Sequence, residues 1–262
     1  MTKMVLLLKW KSLLAQLQYS ESFAIQIASI SLIGFLRVPG LVILTRAFGT
    51  VGGWGLWDLV FLAALVQMAH GLHHALFFRF FLHRQLLHEG EFDRILARPL
   101  HPFWQMVGDS LTMGAVGEFL PGLVLLVAAA LGLGLTWSLL DFVFLGLIIL
   151  SGAVIEGAFN IIFATFDFWL EQTSLMWLPT AFLEAPARYP AHIYAPVFTF
   201  VLTFVFPFAF IAYYPAHHFL DRTVPICGQS LAYLSPVVAG ALLVAAVGFW
   251  SLGLRHYRST GS

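Results

Sequence analysis

Long apolar stretches constrain the fold of this chain more than any other feature of its sequence. A helix needs about 20 apolar residues to cross the hydrocarbon core of a bilayer, and five stretches reach that length. They are residues 23–44, 56–78, 110–133, 139–166 and 231–254. Only 10% of the residues are charged, compared with about 25% in an ordinary soluble domain. The sequence therefore predicts an all-α integral membrane protein.

A sixth span is predicted between residues 168 and 215, where two interpretations fit. Residues 193–213 are long enough to cross but contain Pro196 and Pro207. Alternatively, residues 172–187 cross, and the Pro-rich segment after them enters the bilayer and returns, as irregular backbone does where protein covers it. Either interpretation gives six transmembrane helices, with both termini on the same side of the membrane.

The positively charged residues indicate which side holds the termini. Most of them would lie together on that side, namely Lys3, Lys9, Lys11, Arg79, Arg84, Arg94, Arg98, Arg255 and Arg258. By the positive-inside rule this side is the cytoplasm. Residues 1–262 are predicted to form a single transmembrane domain, in which residues 1–22 form a helix lying in the interface. A formal net charge of zero provides no basic surface for nucleic acid.

The loop between the second and third spans, residues 82–103, holds much of the charge and predicts a short helix. Gly90 interrupts the preceding helical pattern, Glu91 and Asp93 lie in the first turn, and Pro99 ends the helix. At about 100° per residue, one face is apolar and the opposite face is charged. The apolar face consists of Phe92, Ile95 and Leu96, and the charged face of Glu91, Arg94 and Arg98. Such a helix rests on a membrane surface or docks on a protein partner.

The same loop carries a resemblance to a known family. Residues 89–102, EGEFDRILARPLHP, resemble the cytoplasmic loop of one bacterial branch of type-2 ABC transporter permeases, whose pattern is roughly EGxFDxxLxRPLxP. Residues 188–194, RYPAHIY, and residues 206–216, FPFAFIAYYPA, also agree with that branch. The resemblance extends from about the first apolar stretch to the last.

The resemblance implies a function and a set of partners. The chain would be the permease subunit of an exporter of a hydrophobic or amphipathic substrate, in the inner (cytoplasmic) membrane. Two ATPase subunits and a second permease subunit, identical or related, would complete the transporter, with lipid around it. This chain lacks a GxxxxGK[ST] phosphate-binding motif, so ATP and Mg²⁺ are expected on the ATPase subunits and no cofactor on this chain.

The resemblance also assigns roles to particular residues. It favours residues 172–187 as the fifth span, and it makes residues 82–103 a cytoplasmic coupling region. The expected ATPase-coupling residues are Glu91, Phe92, Asp93, Arg94, Leu96, Arg98 and Pro99. The expected residues of an outer gate are Tyr189, Pro190, Pro207 and Pro215.

Three polar residues inside the predicted spans are candidates for function because such residues are costly in a bilayer. Glu118 lies within the third span, and Glu156 and Asn160 lie one helical turn apart on the fourth. Two interpretations remain open for them, hydrogen bonding between helices or lining of a translocation path.

Three histidines on the second span, His70, His73 and His74, have the i, i+3, i+4 spacing of metal ligands. The sequence offers no fourth ligand beside them, so we expect packing and no metal. They support one rival function, a membrane-embedded metal-dependent enzyme with Glu118 or Glu156 as the acid or base. A second rival is an ion-coupled carrier that uses the buried acids as proton sites.

Overall fold

A computed structural model describes residues 9–10, 20–170, 175–176, 178, 188–223 and 229–257. Within these ranges the chain is helical apart from turns, short connections and one isolated bridge between Val51 and Trp54. The protein is an all-α integral membrane protein, as predicted. The α-helices in chain order are α1 Ser20–Phe35, α2 Arg37–Phe48, α3 Leu56–Phe81, α4 His83–His88, α5 Glu91–Leu96, α6 Pro102–Gly108, α7 Met113–Leu133, α8 Leu139–Phe166, α9 Pro196–Phe200, α10 Tyr213–Phe219 and α11 Ser235–Leu254.

Five helical stretches among the described residues are long and apolar enough to cross a membrane. They are Ala24–Phe48, Leu56–His88, Gly114–Leu133, Leu139–Phe166 and Ser235–Leu254. Each overlaps one of the five long stretches predicted from the sequence, and those predictions are confirmed. The second stretch continues past the predicted end at residue 78, because α4 follows α3 almost without interruption.

The Pro-rich segment is a bent pair of helices. Pro196–Val205 and Phe208–Phe219 meet at an angle of 75°, and the first of them ends in a π-helical turn, Val201–Val205. Pro207 follows that turn, where a residue without an amide hydrogen interrupts the helix. The bend fits a segment that enters the bilayer and returns. If the bent pair is instead counted as one broken span, the described residues contain six membrane-crossing elements.

Two predictions fall mainly outside the described residues. Of residues 172–187, the alternative fifth span, only 175, 176 and 178 are described, and of the interfacial helix at 1–22 only 9, 10 and 20–22. In the described part, the Lys9 ammonium donates a hydrogen bond of 2.8 Å to the Ala75 carbonyl. This contact places Lys9 beside the C-terminal half of α3, which leads into α4.

Helix α3 is the centre of the packing. In its most apolar part 72% of the residues are buried, compared with 11% in the first span, and α7 and α8 both lie along it. Glycines make these approaches close. A Cβ atom on Gly71 would lie 2.7 Å from the backbone nitrogen of Phe119, and one on Gly157 would lie 2.3 Å from the Phe77 ring. Small residues at such crossings let helices pack tightly within a bilayer.

The closeness of α3 and α7 can be tested with one methyl group. We expect Gly71→Ala to destabilise the protein by about 1–3 kcal/mol, because the added carbon meets backbone atoms that must move. Gly146→Ala is the matched control, since nothing lies within 4 Å of a Cβ atom at that position. Thermal unfolding in detergent would measure both variants, and equal melting temperatures would contradict this packing.

Candidate functional site

The coupling region predicted at residues 82–103 folds as three short helices, α4, α5 and α6. Gly90 has φ 69° and ψ 5°, a left-handed conformation that glycine adopts without strain, and it turns the chain from α4 into α5. The side chain of Gln105, on α6, donates hydrogen bonds of 2.8 Å to the carbonyls of Ile95 and Leu100. The predicted short helix is present, although it ends at Leu96, before Arg98.

Helix α5 has a buried face and an exposed face. Phe92 is fully buried and Ile95 nearly so, whereas Leu96 is 39% exposed. Leu96 belongs to the predicted apolar face but is not covered, because Ile95 and Leu96 flank Phe92 by about 60° and 40° on opposite sides and the protein covers only the Ile95 side. Four exposed residues in α5 and just after it make up what we call the outer patch: Arg94, Leu96, Arg98 and Pro99.

Phe92 anchors α5 to the membrane domain through an aromatic cluster. Its ring centre lies 5.4 Å from that of His83, 5.8 Å from Phe168, 6.4 Å from Trp250 and 5.1 Å from Tyr257, each ring meeting it edge-on. These residues come from α4, the end of the fourth span and the end of the last span. Phe92 was expected on the partner-binding surface, but it is fully buried, so its contacts hold α5 in place.

The two acids of α5 connect it to neighbouring span ends. The Tyr257 hydroxyl donates a hydrogen bond of 2.8 Å to Asp93 Oδ1. Arg79, in the last turn of α3, places Nη2 3.2 Å from Glu91 Oε2 and Nε 3.4 Å from Asp109 Oδ2. Glu91 and Asp93 are both half-buried, so they orient α5 against α3 and the chain beyond α11, and part of each remains accessible.

A polar cluster lies between α3 and α8, inside the predicted spans. Glu156 Oε2 is 2.9 Å from His70 Nδ1 and 3.5 Å from His73 Nδ1, and the Asn160 amide is 2.6 Å from His73 Nε2. His74 completes this histidine–glutamate cluster, with its ring centre 4.4 Å from that of His70. Glu156 and Asn160 are buried, so they would line a path between subunits only if α3 and α8 separated.

Glu118 belongs to a second polar contact that joins three spans. The Gln67 side chain accepts a hydrogen bond from the Arg37 guanidinium and donates to the Glu118 carboxylate, and it also donates a 3.2 Å bond to the Glu118 carbonyl. These bonds fit the interpretation of Glu118 as a helix-to-helix contact. A role for Glu118, Glu156 or Asn160 in a translocation path stays a prediction.

The expected outer-gate residues lie in or beside the bent helix pair. Tyr189 is half-buried and Pro190, Pro207 and Pro215 are buried. Pro190 precedes a short 3₁₀ turn, Pro207 lies at the 75° bend, and Pro215 is in the first turn of α10. Their positions hold the shape of this segment, and their role as a gate stays a prediction.

A network at the same end of the molecule was not foreseen from the sequence. Arg222 Nη2 lies 2.6 Å from Asp58 Oδ2 at the start of α3, and its guanidinium carbon lies 5.2 Å from the centre of the Trp54 ring. His192 contacts the Tyr213 hydroxyl at 2.8 Å and the Gly52 carbonyl at the same distance. These contacts join the bent pair to the start of α3, and the contacts of His192 with Gly52 and of Arg222 with Asp58 link residues 140 and 164 apart in the chain.

A comparison with protein families decides the class of the protein. A family model described as ABC-2 family transporter protein matches residues 32–261, which include all the membrane-crossing helices except the start of the first. The chain belongs to the ABC-2 transporter family. No curated protein and no solved structure matches it. This ABC-2 protein is therefore a multi-pass transmembrane permease of an ABC transporter, a type of subunit that works with ABC ATPase subunits.

The anchoring of α5 in the ABC-2 permease predicts a contrast between two of its apolar residues. Phe92→Ala should destabilise the protein by about 3–5 kcal/mol, the usual cost of removing a buried phenylalanine ring. Leu96→Ala, on the same helix, should change stability by no more than about 0.5 kcal/mol because Leu96 is exposed. Chemical or thermal unfolding in detergent would measure both, and similar losses would contradict the described orientation of α5.

The contact of Tyr257 with Asp93 predicts a late-titrating tyrosine. Burial, and after it the hydrogen bond to Asp93 and its negative charge, raises the pKa of Tyr257 from 10.0 to about 12. The folded state favours the protonated hydroxyl, so its stabilising contribution is present below pH 10 and is lost as the pH rises through about 12. Because burial also raises the pKa of Tyr194 to about 12, ultraviolet titration should show one late-titrating tyrosine fewer in Tyr257→Phe than in the wild type, and an unchanged number in Tyr233→Phe.

Proposed function

We propose that the chain is the membrane subunit of an ATP-driven exporter, worked through α5 by ATPase subunits that bind on the cytoplasmic side. One observation carries this proposal: α5 and the residues just after it present the exposed outer patch, while Phe92 is fully buried among the ends of three membrane elements. A helix held in this way moves together with the spans beneath it. The positive charges of the loop favour a cytoplasmic location for α5 and for both termini.

The proposed contact surface is the outer patch together with the accessible edges of Glu91 and Asp93. Arg94 and Arg98 provide two positive charges beside Leu96 and Pro99, all exposed. Two exposed guanidinium groups suit a partner surface that carries acidic residues, because arginine forms well-oriented bonds with carboxylates. Phe92 contributes by holding the patch in position.

In the assembled transporter, two ATPase subunits would act on two permease subunits, identical or related, in the inner membrane. Closure of the ATPases on ATP would displace both α5 helices and switch the path between the permeases from one side of the membrane to the other, as rigid-body movement does in alternating access. The largely apolar residues of the membrane domain suit a hydrophobic or amphipathic substrate. The segment from Tyr189 to Pro215 would form the outer gate. Membership in a transporter family argues against the enzyme alternative.

The proposal is tested by reversing charge on the outer patch. The double variant Arg94→Glu with Arg98→Glu should retain less than about a tenth of the ATPase that co-purifies with the wild-type permease, since each charge-assisted hydrogen bond contributes about 1.5–3 kcal/mol. Arg255→Glu is the control, because Arg255 is exposed and follows α11, whose end contacts α5 through Tyr257. ATP hydrolysis and substrate export by the reconstituted complex should fall in parallel with the co-purified ATPase.

Two results would overturn this function. The first is normal ATPase binding and export by the double charge-reversal variant, which would exclude the outer patch as the contact surface. The second is ATP hydrolysis or substrate transport by the purified permease alone, which would show that no separate ATPase drives it.

A further inference from the structure

The histidine–glutamate cluster offers more ligand atoms than hydrogen bonding between helices requires. His70, His73 and His74 each present a ring nitrogen, and the three nitrogens lie within 4.8 Å of one another. A tetrahedral ion bound at 2.0–2.1 Å holds its ligand atoms about 3.3 Å apart. Small rotations of the half-buried rings of His70 and His74 would bring the nitrogens to that separation.

Glu156 supplies the fourth ligand that the sequence did not reveal. Its Oε2 atom lies 2.9 Å from His70 Nδ1 and 3.5 Å from His73 Nδ1, distances on either side of the separation expected for two ligands of one tetrahedral ion. Its side chain is 2% exposed. A buried carboxylate beside three imidazoles gives a set of three nitrogens and one oxygen, contributed by two different spans.

An unpartnered nitrogen within the cluster also points to a ligand. His73 is 3% exposed, and its Nδ1 atom has no hydrogen-bond partner, an arrangement that is costly for a buried polar atom. The Asn160 amide nitrogen lies 2.6 Å from His73 Nε2. If the Asn160 amide turned by half a turn, its oxygen would lie beside His73 Nε2 and accept a hydrogen bond from the Nε2–H group. The lone pair of His73 Nδ1 would then be available to a metal. Such outer partners commonly orient metal-binding histidines.

We propose that His70, His73, His74 and Glu156 form a binding site for a late first-row divalent cation, with Zn²⁺ as the best match. Imidazole ligands favour Zn²⁺, Cu²⁺ or Ni²⁺ over Mg²⁺ and Ca²⁺, which prefer oxygen. Three ligands come from α3 and one from α8, so a bound ion would hold the second and fourth spans together. None of these four residues belongs to the outer patch, so the proposed metal site does not rest on the proposed docking of ATPase subunits there.

The test uses full-length protein purified in detergent with a tag that contains no histidine. Co²⁺ serves as the probe, because it occupies zinc sites and absorbs visible light when it is tetrahedrally bound. We expect about one chelator-sensitive Co²⁺ per chain, displaced by Zn²⁺. His70→Ala, His74→Ala and Glu156→Gln should each weaken binding by about tenfold or more. His218→Ala and His256→Ala, which change histidines outside the cluster, should leave it unchanged.

Thermal unfolding separates loss of the site from loss of the fold. Added Zn²⁺ should raise the melting temperature of the wild type, since an ion that binds only the folded state stabilises it by mass action. His74→Ala should melt at the wild-type temperature in chelator and show no increase with Zn²⁺. The proposal is overturned if the wild type binds no Co²⁺ under chelator control, or if the cluster variants bind it as tightly as His218→Ala does.

Discussion

The close burial of α3 among its neighbours is the constraint on which the rest of the structure depends. A bilayer gives helices no hydrophobic reason to associate, so their association relies on tight packing and on polar contacts between them. Helix α3 provides the packing through Gly71, which meets the α7 backbone, and through Phe77, which fills the space above Gly157 on α8. The first and last spans then pack on α7 and α8, outside this three-helix centre.

The polar contacts between spans are also centred on α3 and on α4, which continues it. Along the stretch Leu56–His88, Asp58 meets Arg222, Gln67 joins Arg37 to Glu118, and His70 and His73 meet Glu156. Near its end, His83 lies 3.4 Å from Asp167, with both side chains buried. These contacts pair polar groups of the central stretch with the first and third spans, with two levels of the fourth span and with the chain after α10, so they help to fix the positions of these elements around α3.

The sequence predicts the helical stretches well, because a run of about 20 apolar residues is a local signal that the bilayer makes decisive. It also locates α5, whose start is marked by Gly90 and whose end at Leu96 falls three residues before Pro99. It does not predict which flank of Phe92 is covered, since Ile95 and Leu96 are equally apolar and only tertiary packing separates them. The meeting of His70 with Glu156, 86 residues away, and of Asp93 with Tyr257, 164 residues away, has no local signature. From the sequence alone, the three histidines and Glu156 therefore do not form one ligand set.

Helix α3 has 26 residues and contains no proline, which makes it a stiff rod about 39 Å long at 1.5 Å per residue. One end carries Asp58 beneath Arg222, and the other carries Arg79 beside Glu91. We expect such a rod to tilt or slide as a unit, so that a displacement near Arg79 reaches Asp58. The single helix would thereby couple the two ends of the membrane domain, and the environment of the Trp54 indole, next to the Arg222 guanidinium, would report on events about 40 Å away.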